Sequence, residues 1–198
     1  MRPARPRSLR VEVLEDRITP SFSINDTGTE GDADLMDGVA DTGLFAPDGK
    51  YLGLSGKTTV GAALEQAHYN IEHNGAGPGT FTFVSPGSYP SIGAPVGWSV
   101  EGIGGANADV FVTGGTISGF AFTEPCTVGA SGDGAVIQDV TGASSASLGG
   151  KNGTMLNVTA ESLGASGEGL TISNCTATRG GDHAGRHQLR RGQLHRDC

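Results

Sequence analysis

Apolar residues fall along the chain in a short pattern that recurs six times: apolar or small, any, apolar, any, any, apolar. The six copies are Phe81, Phe83 and Pro86; Trp98, Val100 and Ile103; Gly115, Ile117 and Phe120; Ala135, Ile137 and Val140; Gly153, Met155 and Val158; and Leu170, Ile172 and Cys175. Their central positions, Phe83, Val100, Ile117, Ile137, Met155 and Ile172, follow one another at 17, 17, 20, 18 and 17 residues. A unit of that length cannot bury an apolar face alone, so neighbouring units stack and share one continuous core. The pattern predicts an all-β fold, a right-handed parallel β-helix solenoid of about six rungs; its hand follows from the crossover rule for parallel strands. A β-sandwich also suits short strands and Gly-rich turns, but it gives no cause for the constant spacing.

Ahead of the repeats the period changes. Val60, Ala63, Leu64, Ala67 and Ile71 share one helical face between Thr59 and about Glu72, with Thr58 or Thr59 as N-cap. A helix beside the first rung would cover an end whose open strand edge otherwise recruits other chains. The chain therefore divides into an arm (1–22), an acidic loop with capping helix (23–79), the repeats (80–181) and a basic tail (182–198).

Composition narrows the function classes. The 198 residues include 34 Gly and only 17% charged side chains, which suits a chain that turns often. Disordered chains carry more charge and fewer Val, Ile and Phe than residues 80–178 do. A net charge of -8 disfavours nucleic acid, and no apolar run reaches the length of a membrane span. Cys126, Cys175 and Cys198 have no metal-ligand spacing. One bridge from Cys126 to Cys175 is open to the sequence, although Cys175 at an inward repeat position reads as a small buried hydrophobe.

Few residues invite chemistry. Ser55-Gly56-Lys57-Thr58-Thr59 ahead of a helix has the end of a phosphate-binding loop, but Tyr51 stands where that loop needs its first Gly. Glu30, Asp32, Asp34, Asp37 and Asp41 could surround calcium in an irregular loop, although an EF-hand's third acid would arrive one residue earlier. The rival reading is a solvated acidic loop, with no cofactor required. Among the sparse acids of the repeats, Glu101 and Asp139 should point outward on neighbouring rungs and are the weak candidates for a two-carboxylate site. Asn157 and Asn174 hold the same place in successive repeats and predict a hydrogen-bonded ladder at a turn.

Two segments carry resemblances. Leu14-Glu15-Asp16-Arg17 followed by Thr19-Pro20-Ser21 resembles the LEPR-type leader of planctomycete-type surface proteins, which implies export. Asp37-Gly38-Val39-Ala40-Asp41, Thr58-Thr59-Val60-Gly61-Ala62-Ala63-Leu64 with Ala67 and Asn70, and Phe81-Thr82-Phe83 leading to Pro86-Gly87-Ser88-Tyr89 resemble the CSLREA-type domain that precedes β-helix repeats in exported bacterial proteins. Here Thr58 and Ala40 stand where that pattern has Cys, and Gly61 where it has Arg. The tail, with Arg186, Arg190, Arg191, Arg196, His183, His187 and His195, is an interaction tail, a His-rich metal site or the product of a shifted reading frame near Gly181.

Two functions from different classes follow as expectations. The favoured one is a non-catalytic, secreted or cell-surface, adhesin-like or structural protein that binds polysaccharide or surface protein, as a monomer or part of a longer solenoid. The other is a carbohydrate-active lyase or glycoside hydrolase of the β-helix type, whole or truncated.

Overall fold

The computed structural model describes residues 19–179. Most of the leader motif, the tail from 182 and Cys198 lie outside the described residues. In chain order the elements are β1 (Ser21–Ile24), β2 (Leu44–Phe45), β3 (Tyr51–Gly53), α1 (Val60–Asn74), β4 (Thr80–Phe83), β5 (Gly87–Ser88), β6 (Ile92–Gly93), β7 (Ser99–Glu101), β8 (Ala106–Asn107), β9 (Val110–Thr113), β10 (Thr116–Ser118), β11 (Thr127–Ser131), β12 (Val136–Lys151), β13 (Thr154–Glu168), β14 (Thr171–Ser173) and β15 (Thr176–Ala177). The chain coils into a parallel β-solenoid of about five turns, with one helix among the described residues.

The first face stacks β1, β4, β7, β10, the start of β12, the start of β13, and β14, all parallel. Their register aligns Phe22, Phe81, Val100, Ile117, Ile137, Met155 and Ile172 in one inward column. Five of these, from Phe81 to Met155, are at most 1% exposed. Full burial of side chains this size stabilises by about 1.5–3 kcal/mol each.

The column corrects the sequence reading in one place. Phe81 aligns with Val100, whereas the repeat pattern put Phe83 there. Both phenylalanines point inward from alternate positions of β4, so apolar pattern alone does not choose between them. Phe83 instead pairs in register with Ile24, and Phe120 packs across Gly102, where any Cβ would collide with its ring.

A second column lies on another face. Ile92, Val110, Val128, Ala146 and Leu163 align through β6, β9, β11 and the later parts of β12 and β13. Its steps are 18, 18, 18 and 17 residues, more even than the first column's. A short third side is built from β5 with β8, the bridges Gly104–Ala121 and Ala121–Thr141, and β15 against β13.

β1 was not foreseen as a strand. Its Phe22 completes an aromatic stack with Phe81 and Trp98, at centroid distances of 5.9 and 6.0 Å. Ser21 and Phe22, counted with the arm, thus belong to the first rung. Helix α1 packs against β1, the outermost strand of that face. Its N-cap is Thr59, whose Oγ1 accepts from the Ala62 N–H, and Gly75 closes it in the left-handed conformation at φ 62°. The buried face is Val60, Ala62, Ala63, Gln66 and Ala67, while Ile71 is 36% exposed. The actual stripe is therefore rotated toward Ala62 from the expected one. At the other end, the inward Ile172 is 37% exposed and Cys175 is half-buried. No helix among the described residues is long and apolar enough to cross a membrane.

Candidate functional site

The outer surface of the second face carries the candidate site. One residue after each inward position of that column comes an outward one, and register aligns Gly93, Phe111, Gly129, Ser147 and Gly164. Glycine at three of these five places leaves a trough of about 690 Å³ running across the rungs, flanked by Thr113, Ser131 and Ser166. Strand spacing repeats this surface every ~4.8 Å. Phe111 is 44% exposed and leans over Gly129, where a Cβ would stand 2.9 Å from its ring. Hydroxyls pair along the solenoid beside it: Thr113 with Ser131 at 3.4 Å, and Ser162 donating to Ser145 at 3.3 Å. An exposed aromatic face among hydroxyls and bare backbone offers stacking together with neutral hydrogen bonding.

The two carboxylates picked from the repeats stand apart. Glu101 lies outward on β7, in register with Thr82 and Ser118. Asp139 lies at a corner of β12, two rungs on, because all of β10 intervenes. Both are exposed, but they are not on neighbouring rungs as expected. Two strand spacings already separate their backbones by roughly 10 Å, the outer limit for a pair flanking one sugar. Asp139 also has another task. Its backbone is left-handed at φ 54°, and its Oδ1 accepts from Asn157 Nδ2 at 2.7 Å. Asn157 Oδ1 in turn accepts from Asn174 Nδ2 at 2.7 Å, from a corner of the same hand. The predicted ladder is therefore present and one member longer, with Asp139 starting it. Short polar side chains are the non-glycine residues that tolerate this conformation.

The acidic loop spends its carboxylates on turns. Asp32 Oδ1 accepts from the Asp34 N–H, Asp34 from Met36 and Asp37 from Val39, all at 2.8–3.1 Å. Asp41 is 4% exposed and accepts from the N–H groups of Ser55, Gly43 and Gly56 and from the Ser55 hydroxyl, at 2.6–2.8 Å. Glu30 lines an open pocket with Asp26, Asp32 and Lys57. Among the described residues no group of three or more His, Cys, Asp or Glu side chains is gathered closely enough to hold a metal ion. The phosphate-loop fragment is accounted for in the same way: Asp41 occupies the Ser55 and Gly56 N–H groups, and Lys57 pairs with Asp26 at 3.2 Å. An internal carboxylate sits where a phosphate would need those donors.

Asp32 is the strained member of this loop. One of its oxygens is buried without a partner, and burial, with Asp37 and Glu65 nearby, raises its pKa despite the Asp34 N–H. A raised folded-state value means stability is greatest below the usual 3.8 and falls as pH rises through the folded value. At neutral pH the penalty is fully present. Asp32→Asn keeps an acceptor for Asp34 and removes the charge, so we expect a small rise in melting temperature at pH 7 that vanishes near pH 3. Thermal melts at the two pH values check this.

Cys126 and Cys175 are both free, so the bridge left open by the sequence is not made. Burial, then Asp109 and Glu124, push the Cys126 thiol up, which leaves it a protonated core residue.

Fold and surface together define a β-solenoid with an open, uncharged trough. Comparison with protein-family models, curated proteins and solved structures finds no match to this chain.

Proposed function

We propose that this is a non-catalytic, exported or cell-surface β-solenoid that holds an extended polymer along the trough of its second face. The observation that carries the reading is Phe111, exposed over Gly129 and bordered by hydroxyls repeating at the rung spacing. Export is supported by the resemblance of Leu14–Ser21 to a surface-protein leader and of the cap to the CSLREA outline. The sugar ring is the repeating unit that suits such a surface, with one face for the aromatic ring and hydroxyls at its rim. The chain's net charge of -8 favours a neutral polysaccharide over pectin or alginate.

Titration with a soluble neutral glucan, followed by calorimetry, tests this. Wild-type protein is expected to bind, and Phe111→Ala to bind about tenfold more weakly with an unchanged melting temperature, since an aromatic platform contributes on the order of 1 kcal/mol. Equal binding by the two proteins removes the trough from the account. Release of unsaturated or reducing ends from pectin or alginate, lost in Glu101→Gln or Asp139→Asn, would make the protein a lyase or hydrolase instead.

A further inference from the structure

The hairpin β2–β3 leaves most of its apolar side-chain surface uncovered. Leu44, Phe45, Leu52 and Leu54 are each more than half exposed, and Tyr51 is 40% exposed with its ring edge-on to Phe45 at 5.6 Å. Isolated exposed leucines need no explanation, but five large apolar side chains exposed within eleven residues of one hairpin do. Among the described residues the hairpin is a sheet of two strands only, so each strand keeps an edge with no described strand beside it. Its Ala46-Pro47-Asp48-Gly49-Lys50 turn is closed by the Ala46 and Lys50 backbone pair at 2.8 Å, which holds the strands in place without a partner.

Charge decides what fits there. Between Asn25 and Thr59 the chain has seven carboxylates and two lysines, and Lys57 is already paired with Asp26. Slight desolvation raises the Tyr51 hydroxyl's pKa, and the charges of Asp37, Asp41, Asp34 and Asp32 add to it. The field at the hairpin is therefore negative. A second copy would bring the same sign to the contact, and an anionic lipid surface would be repelled.

We infer that the β2–β3 hairpin is a docking site for an extended segment of a partner protein that alternates basic with apolar side chains. Such a segment adds a strand to a free edge, sets its apolar side chains against Phe45 and Leu52, and turns its lysines or arginines to Asp34, Asp37 and Asp48. This surface is separate from the trough and does not depend on polymer binding.

The test uses the full chain and three synthetic decapeptides: alternating lysine and valine, lysine and serine, and glutamate and valine. Fluorescence anisotropy should show binding of the lysine–valine peptide, about tenfold weaker binding of the other two, and weakening with salt. Phe45→Ser with Leu52→Ser, and separately Asp34→Asn with Asp37→Asn, should each cost about tenfold while leaving the thermal melt unchanged. Leu52→Ser alone, at a side chain 62% exposed, gives a milder variant if the double one melts early. Equal binding of the lysine–serine peptide would reduce the effect to bare charge and overturn the inference. So would affinity untouched by the hairpin variants, a hairpin-dependent dimer in sedimentation, or insertion into phosphatidylcholine vesicles.

Discussion

Gly150→Ala is expected to unfold the later rungs, lowering stability by about 3–5 kcal/mol, more than most single substitutions do. Gly150 pairs in register with Gly167 at a corner where Gly132 stacks on its other side, and all three have positive φ, 88°, 110° and 142° in chain order. At 110° an L side chain is strained whatever the surrounding space, at a cost of about 1–3 kcal/mol. The added Cβ also runs into the Gly132 carbonyl, which is backbone of the preceding rung and has no rotamer to move to. Relief requires the two rungs to separate, which breaks the ladder that pairs Thr127, Val128, Gly129 and Ala130 with Ser145, Ala146, Ser147 and Leu148. Urea unfolding followed by circular dichroism checks it. Gly134→Ala is the control: it shares a positive φ of 70° but meets no atom within 4 Å, so it should cost only about 1 kcal/mol. Equal losses at the two positions would mean that backbone strain alone, without the contact between rungs, sets the cost.

The column from Val100 to Met155 could be read in the sequence because each rung contributes one fully inward apolar residue at a nearly constant step. Phe81 and Phe83 broke the reading because both face inward, so the pattern holds two registers at once. β1 escaped because four residues, Ser-Phe-Ser-Ile, alternate too briefly to stand out, and their partner strand lies beyond the whole cap. The hairpin did have a local signal, Pro47-Asp48-Gly49 between apolar pairs, of the kind that specifies a tight turn.

The candidate site was harder to see for a related reason. A trough is defined by side chains that are missing, and Gly93, Gly129 and Gly164 look like turn residues until the register aligns them. The signal that finds them is the second column, Ile92 to Leu163, whose even steps place Phe111 one residue past Val110 on the outer surface. Asp139 illustrates the opposite error. It was legible as an outward acid, but its place two residues after Ile137, matching Asn157 after Met155, is what assigns it to the corner ladder.

Asp41→Ala is expected to detach the acidic loop and hairpin from the cap, with a loss of about 2–3 kcal/mol, since hydrogen bonds to a charged acceptor contribute about 1.5–3 kcal/mol each and water recovers part of that at the freed donors. The carboxylate gathers four donors from two stretches of chain, Gly43 on one side and Ser55 and Gly56 on the other. Without it, the N–H groups of half-buried Gly43 and Ser55 and of exposed Gly56 lose their shared acceptor, which water replaces only in part. Asp41→Asn should cost less, because one amide oxygen still accepts while the amide nitrogen meets the Gly56 N–H as donor against donor. The same contacts fix the pH dependence. Burial alone would raise the Asp41 pKa, but the N–H groups of Ser55 and Gly43 and the Ser55 hydroxyl outweigh it, and the value falls below the usual 3.8. A lowered folded-state value means the stabilisation is complete above 3.8 and is lost as pH falls from there through the folded value. Asp32 works in the opposite direction over the acid range, so wild-type melts alone mix the two. In an Asp32→Asn background the loss on acidification should show an Asp41-dependent part, missing from the Asp32→Asn, Asp41→Asn double variant, beside a part due to Asp26, whose carboxyl the Gly28 N–H and Lys57 also hold below 3.8. A loss in the double variant as large as in Asp32→Asn alone would assign the acid sensitivity to carboxylates other than Asp41.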